Sequence, residues 1–127
     1  MLMAAKPKIT VVEDDVAIIQ MYRMKFEDEG YDVTTAGNGQ AGLKLVEDFQ
    51  PDIILLDLMM PIMGGAEMLQ KLRKQPWGKN TKVIVLTNMG ESEVSPEIRK
   101  LGVADFIVKA DMTPKQVADR IKEVLQS

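Results

Sequence analysis

The chain lacks both side chains that most often carry redox and neutral-pH chemistry, since it contains no cysteine and no histidine among its 127 residues. The absence of cysteine excludes disulfides, thiolate metal sites and cysteine nucleophiles. The absence of histidine removes the commonest acid/base group near neutral pH and the commonest ligand of transition metals. Any metal site must therefore be built from oxygen ligands, which favours a hard cation such as Mg²⁺.

Long basic runs and long apolar runs are also missing. The 16 Lys and Arg residues are outnumbered by 19 Asp and Glu residues, giving a net charge of -3, so a nucleic-acid partner is not expected. No apolar stretch approaches the roughly 20 residues that span a bilayer, and residues 1–8 lack the apolar segment of a signal peptide. We therefore expect a cytoplasmic protein without a membrane partner.

The proportions of hydrophobic and charged residues are typical of one globular domain. Hydrophobic residues make up 46% and charged residues 28% of the chain. We place a single domain over residues 1–127, with its core at about residues 8–125. Five apolar strand patterns alternate with five helical patterns, which favours a parallel sheet covered by helices on both faces. The strands are predicted at residues 8–12, 31–35, 53–56, 82–86 and 105–108, and the helices at about 16–29, 41–49, 66–74, 96–101 and 114–125.

Two local signals refine the helix predictions. Asp15 directly precedes the first helical pattern and is well placed as its N-cap. Ser95 and Pro96 are typical of the first two positions of a helix, so Pro96 should shorten or reposition the fourth helix.

Polar side chains collect where the predicted strands end. Glu13 and Asp14 follow the first strand, Asp57 the third, Thr87 the fourth and Lys109 the fifth. Sites in open parallel sheets form beyond the carboxyl ends of the strands, so we expect these side chains at one edge. Three close carboxylates repel one another, and a divalent cation together with Lys109 would balance their charge. A carboxylate facing a phosphoryl group is a nucleophile, and phosphoryl transfer mainly needs alignment and charge neutralisation.

Four sequence blocks contain these residues. They are residues 11–15 (VVEDD), residues 53–61 (IILLDLMMP) with Gly64, residues 83–87 (VIVLT) and residues 106–109 (FIVK). The blocks resemble the signature blocks of response-regulator receiver domains, in the same order and at matching intervals. The resemblance extends from about residue 8 to residue 125 and implies a chemotaxis-type, single-domain receiver of two-component systems. It also implies a flavodoxin-like fold, a doubly wound parallel sheet with the strand order 2-1-3-4-5.

The resemblance implies a role for each acidic residue of the predicted site. Glu13, Asp14 and Asp57 would hold Mg²⁺, together with the backbone carbonyl of Met59. Asp57 would also be the phosphoacceptor, and Lys109 would bond to an oxygen of the phosphoryl group.

Switching and partners are implied in the same way. Thr87 would move to the phosphoryl group, and Phe106 would turn inward when Thr87 moves. The phosphoryl donor would be a phosphohistidine on a histidine kinase or a histidine phosphotransfer protein. Because no output domain is visible in the sequence, we expect output by contact with a downstream protein target.

The sequence departs from the family pattern at four positions. Ala110 stands where proline commonly follows the lysine, often after a cis bond, and a cis bond before alanine would cost about 3–4 kcal/mol. Asn88 stands where a small residue is usual. Met59 and Met89 occupy positions that are often polar, and we hypothesise that they shield the phosphorylated aspartate from water.

Three other functions compete with the receiver function. An aspartate-nucleophile phosphohydrolase needs a second acid two residues after Asp57, where this chain has Met59. A nucleotide or flavin binder needs a phosphate-binding loop after the first strand, where this chain has residues 13–15 (EDD). A receiver-like adaptor that signals without phosphate is disfavoured by the complete set of acids, threonine and lysine. We expect a protein that catalyses its own phosphorylation and dephosphorylation but is not a turnover enzyme.

Overall fold

The computed structural model describes residues 6–88 and 94–127. In these residues five strands and five helices alternate along the chain, as the sequence predicted. The strands are β1 (Lys8–Val12), β2 (Asp32–Ala36), β3 (Ile53–Asp57), β4 (Lys82–Thr87) and β5 (Asp105–Val108). The helices are α1 (Val16–Asp28), α2 (Gly39–Phe49), α3 (Gly65–Arg73), α4 (Pro96–Arg99) and α5 (Pro114–Gln126).

The strands form one parallel sheet in the order β2-β1-β3-β4-β5. This confirms the predicted fold class and strand order. The order changes direction between β1 and β3, because β2 lies on one side of β1 while the later strands follow on the other. In open parallel sheets the crevice beyond the carboxyl ends of the strands at such a point is the usual binding site.

Two apolar layers attach the helices to the two faces of the sheet. Successive side chains of a strand point to opposite faces. Ile53 and Leu55 therefore pack in the layer that contains α1 and α5, whereas Ile54 and Leu56 pack in the layer that contains α2, α3 and α4. Burying an Ile or Leu side chain contributes about 1.5–3 kcal/mol, so β3 is held firmly from both sides up to its last residue, Asp57.

Helix boundaries follow the local capping groups. The Asp15 carboxylate accepts hydrogen bonds from two backbone N–H groups of the first turn, which confirms it as the N-cap of α1. Helix α2 begins at Gly39, earlier than predicted, because the Asn38 side chain accepts a hydrogen bond from the N–H of Ala41 and caps the helix there. The other boundaries differ from the predicted ones by two residues or fewer.

The structure shows the backbone at two positions where the sequence departs from the family pattern, Pro96 and Ala110. Helix α4 is one short turn of four residues that starts with Pro96, as that proline predicted. The Lys109–Ala110 bond is trans, since the described residues contain no cis peptide bond, and a 3₁₀ turn (Lys109–Asp111) follows. Met89 lies outside the described residues. Within residues 6–88 and 94–127, no helix has the length and apolar character needed to cross a membrane.

Candidate functional site

The carboxyl ends of four strands meet at one acidic cavity of about 260 Å³. Glu13 and Asp14 directly follow β1, Asp57 ends β3, Thr87 ends β4 and Lys109 directly follows β5. The strand order brings these residues together, because β3 lies between β1 and β4. The cavity is lined by Glu13, Asp14, Asp15, Ile18, Asp57, Met59, Thr87, Asn88 and Lys109.

Lys109 connects the acidic groups of β1 and β3. Its Nζ atom donates to both carboxylate oxygens of Glu13 and to Oδ2 of Asp57, each at 2.9 Å. The side chains of Glu13, Asp57 and Lys109 are only 1%, 4% and 13% exposed, so water screens these ion pairs far less than it screens surface pairs. Burial alone lowers the pKa of Lys109, but the hydrogen bonds and charges of the two carboxylates outweigh it and raise the pKa. Lys109 is therefore held as a cation.

The surroundings of Glu13 change the pKa of its carboxyl group. Its pKa is raised from 4.5 to about 7, first by burial and then by the neighbouring Asp57 carboxylate, while Lys109 acts in the opposite direction. Burial is therefore the main reason that Glu13 holds a proton more tightly, and the adjacent carboxylate adds to it.

The excess of acidic oxygens fits a hard divalent cation. One carboxylate oxygen each of Glu13, Asp14 and Asp57 lies within 4.8 Å of the others. Oxygen ligands of this kind are the ones that Mg²⁺ and Ca²⁺ prefer, and a dication would relieve the repulsion that raises the pKa of Glu13. The backbone carbonyl of Met59, a predicted ligand, belongs to the loop beside this cluster, and its role stays a prediction.

The loop after β3 positions Asp57 through its backbone. The Met59 N–H donates to Oδ1 of Asp57 at 3.2 Å, and the Gly65 N–H donates to the carbonyl oxygen of Leu58 at 3.0 Å. A Cβ atom on Gly65 would lie 2.2 Å from the Asp57 carbonyl oxygen, whereas one on Gly64 would meet only the Leu58 oxygen, at 3.1 Å. Sequence reasoning singled out Gly64, so it missed Gly65 as the glycine that packs against the aspartate. The adjacent glycine pair was visible, but only the loop geometry distinguishes its two members.

The predicted switch residues lie near the cavity but in different surroundings. Thr87 is 1% exposed at the cavity wall. Phe106 is half-buried against the core layer of α2, α3 and α4, and it does not line the cavity. The Arg99 guanidinium carbon of α4 lies 5.2 Å from the centre of the Phe106 ring, a contact that sequence reasoning did not anticipate. The switching roles of Thr87 and Phe106 stay predictions.

Comparison with known sequences agrees with this geometry. A family model for the response regulator receiver domain matches residues 9–122. The chain is 36% identical over 122 residues to the phosphate regulon transcriptional regulatory protein PhoB of Rhizobium meliloti, covering 94% of this chain and 52% of that protein. The chain spans about half the length of the curated relatives it matches.

Solved structures have the same fold. The chemotaxis response regulator CheY4 of Vibrio cholerae is 29% identical, with a TM-score of 0.87, and the match covers 94% of this chain and 99% of that one. A chain in the crystal structure of the CheX–CheY–BeF3–Mg²⁺ complex of Borrelia burgdorferi is 26% identical, with a TM-score of 0.83 and coverages of 93% and 88%. The chain belongs to the response regulator receiver domain family.

Proposed function

We propose that Asp57 of this receiver accepts a phosphoryl group, with Mg²⁺, from a phosphohistidine on a histidine kinase or a histidine phosphotransfer protein. The observation that carries the proposal is the environment of Asp57. This carboxylate is 3% exposed, lies within an oxygen cluster that includes Glu13 and Asp14, and accepts a 2.9 Å hydrogen bond from Lys109. An aspartate between a candidate cation site and a fixed ammonium group is suited to attack a phosphoryl group.

The chemical step needs little from the protein beyond position and charge. An oxygen of Asp57 forms a bond to phosphorus, the bond from phosphorus to the donor nitrogen breaks, and its electron pair leaves with the donor imidazole. The Met59 N–H and the Lys109 ammonium group hold the two Asp57 oxygens in place beforehand. Glu13, Asp14, Asp57 and the Met59 carbonyl would hold Mg²⁺, which supplies neutralisation of the phosphoryl charge when bound.

Lys109 also has a role after transfer. Phosphorylation replaces a carboxylate by a group with more negative charge and more acceptor oxygens. Lys109 is already 2.9 Å from Oδ2 of Asp57, so its ammonium group is close enough to bond to the phosphoryl group with little movement. Thr87, at the end of the neighbouring strand β4, would supply a hydroxyl and transmit the change toward Phe106.

An apolar surface beside the cavity supports a protein as the donor. The exposed large hydrophobic residues among residues 6–88 and 94–127 all lie on α1 or on the loop between β3 and α3, the segments that flank the acidic cavity. Ile62 is 78% exposed and has a φ of +68°, a strained conformation for a β-branched residue. Exposed apolar groups gain stability when a partner covers them. These residues are Val16, Met21, Met24, Met59 and Ile62.

The output belongs to the proposal as well. We infer that phosphorylation changes a surface that a downstream protein recognises, without turnover of a substrate. Relatives are named as transcriptional regulatory proteins, and CheY of Borrelia burgdorferi is described in a complex with CheX and Mg²⁺. We propose that this receiver acts in the cytoplasm through contacts with proteins, without a nucleic-acid or membrane partner.

Phosphoryl incorporation from acetyl phosphate with Mg²⁺ tests the proposal. We expect labelling of the wild-type protein, no labelling of Asp57→Asn, and normal labelling of Asp52→Asn. Asp52 is a matched control, because it is an exposed aspartate just before β3 while Asp57 is the last residue of the same strand. Equal labelling of Asp57→Asn and wild type, or equal labelling after chelation of Mg²⁺, would refute the proposal.

A further inference from the structure

The sulfur chemistry of this chain rests on methionine alone, because the sequence has ten methionines and no cysteine. Oxidation of methionine by a peroxide depends strongly on how well solvent reaches the thioether. Among the described methionines, Met68 is fully buried and Met60, Met63 and Met112 are partly buried. The methionines with large exposed fractions are Met24 (72%), Met59 (67%) and Met21 (42%).

Met59 differs from the other exposed methionines in its position. It lines the acidic cavity, whereas Met21 and Met24 lie on α1 outside the set of lining residues. Its backbone N–H also donates to Oδ1 of Asp57 at 3.2 Å. A chemically modified Met59 side chain would therefore lie at the mouth of the cavity that contains Asp57.

We propose that the Met59 thioether is a site of reversible oxidation by peroxide, and that the oxidised form shortens the lifetime of the phosphoryl group on Asp57. The sulfur lone pair attacks one peroxide oxygen, a sulfur–oxygen bond forms, the oxygen–oxygen bond breaks, and the second oxygen leaves as water. Sulfur loses two electrons and hydrogen peroxide gains them. The effect on lifetime rests on the proposed function of Asp57.

The physical reason is the change in polarity at the cavity mouth. A thioether is apolar and a weak hydrogen-bond acceptor, so it does not order water beside the aspartate. A sulfoxide has a strong dipole and an acceptor oxygen. Hydrolysis of an acyl phosphate needs a water molecule in line with the bond to be broken. A group that holds water at the cavity mouth should therefore speed phosphate loss.

The effect should also be reversible. Reductase enzymes return methionine sulfoxide to the thioether, unlike the irreversible oxidation of a thiol to a sulfonic acid. Met59 is accessible enough for such an enzyme, since two thirds of its side chain is exposed. Reversal distinguishes a specific modification from general oxidative damage.

The experiment compares phosphate loss before and after mild hydrogen peroxide treatment of the full chain. Wild type, Met59→Leu and Met24→Leu are labelled with acetyl phosphate and Mg²⁺, and the half-life after treatment is divided by the half-life before treatment for each protein. Peptide mass spectrometry measures the sulfoxide fraction at each methionine. Circular dichroism checks that treated proteins stay folded.

We expect sulfoxide at Met59, a severalfold shorter half-life after treatment of wild type and Met24→Leu, and no change for Met59→Leu. Treatment with methionine sulfoxide reductases should restore the wild-type half-life. An unchanged half-life despite full sulfoxide at Met59, or an equal change in Met59→Leu, would overturn the inference while leaving the proposed function intact. If untreated protein takes no phosphoryl group, the proposed function and this inference both fail.

Discussion

At the carboxyl edge of the sheet, where the strands end, the Lys109 ammonium group donates to two carboxylates. At the amino edge, where the strands begin, the Arg73 guanidinium group donates to backbone carbonyls. Arg73 donates through Nε to Leu101 (2.6 Å), through Nη1 to Gly78 (2.9 Å) and Thr81 (2.7 Å), and through Nη2 to Gly102 (3.1 Å). These carbonyls belong to the segments that lead into β4 and β5. One side chain therefore holds the entry of two strands.

Two lysines act similarly at the amino edge. Lys8 Nζ donates to the carbonyl of Phe49, where α2 ends, and Lys82 Nζ donates to the carbonyl of Val124, near the end of α5. Helix C-termini carry partial negative charge and unpaired carbonyls, so a cation there satisfies both. The amino edge thus uses these cations to stabilise the fold.

The carboxyl edge is different because its charges are not balanced. Three clustered carboxylates, two of them paired with Lys109, outnumber this one ammonium group, so two negative charges remain in excess when all are ionised. Burial raises the pKa of Glu13, and the neighbouring Asp57 carboxylate raises it further. The comparison teaches that the amino edge pairs these cations with backbone carbonyls, whereas the carboxyl edge gathers carboxylates that suit a hard divalent cation.

The larger of two cavities in the molecule is not the one that contains the clustered carboxylates. A cavity of about 820 Å³ lies at the amino edge, next to Trp77 and Lys82, and is much larger than the acidic cavity of about 260 Å³. Among residues 6–88 and 94–127, Asp52 is the only acidic residue that lines the larger one. The functional assignment rests on the clustered charges of the smaller cavity rather than on volume.

The largest expected effect is on the loop that holds Asp57. In Gly65→Ala the new Cβ atom would lie 2.2 Å from the Asp57 carbonyl oxygen, which cannot move without shifting β3. We expect a loss of about 3 kcal/mol in the free energy of unfolding, measured by urea denaturation. Gly64→Ala is the matched control, and it should lose much less. Equal losses for the two variants would contradict the positioning role of Gly65.

Arg73→Ala should have the next largest effect, at the other edge. Four carbonyls lose a charged donor, so we expect the free energy of unfolding to fall by about 2–3 kcal/mol. Magnesium affinity, measured by calorimetry, should not change, because none of these carbonyls belongs to the acidic cavity. Arg73→Lys keeps the charge with fewer donors and should lie between wild type and Arg73→Ala. A large loss of magnesium affinity in Arg73→Ala would contradict the claim that Arg73 stabilises the fold without acting on the acidic cavity.

Two lysines at opposite edges test the comparison directly. Lys109→Met removes the cation beside Asp57, so the rate of phosphorylation by acetyl phosphate should fall roughly 100-fold. Lys82→Met removes a cation that donates to the Val124 carbonyl of α5 and lies away from the acidic cavity, so it should cost about 1 kcal/mol of stability and leave that rate unchanged. Similar losses of rate in both variants would mean that Lys109 acts through the fold and not through the site.

The smallest expected effect is on the pH dependence of stability. The folded protein binds a proton at Glu13 more tightly than the unfolded chain, since the pKa rises from 4.5 to about 7 on folding. This stabilising contribution is complete below pH 4.5 and is lost as the pH rises through about 7. Without metal, wild type should therefore lose stability relative to Glu13→Gln between about pH 5 and about pH 8. Urea titrations of both proteins measure this difference, and identical pH profiles would contradict the raised pKa of Glu13.

The sequence predicted the fold and the strand ends because both depend on local patterns. The unbroken apolar run of β3 predicted a strand that is buried on both faces. The strand ends could be grouped because parallel strands bring their carboxyl ends to one edge of the sheet. The contacts of Arg73 could not be predicted in the same way, since two of its partners lie 28 and 29 residues away in loops without a pattern. The close approach of Gly65 to Asp57 and the exposure of Met59 also depend on the path of the loop, which the sequence does not specify.

The central claim is that the phosphoryl group is carried by Asp57, and mapping its position tests that claim most directly. Wild-type protein would be phosphorylated with acetyl phosphate and Mg²⁺, reduced with borohydride to mark any acyl phosphate, digested and sequenced by mass spectrometry. We predict that the mark appears at Asp57 and is absent from Asp14 and Asp52. A mark at another carboxylate, or a stable phosphate on a hydroxyl such as that of Thr87 with Asp57 unmarked, would contradict the account.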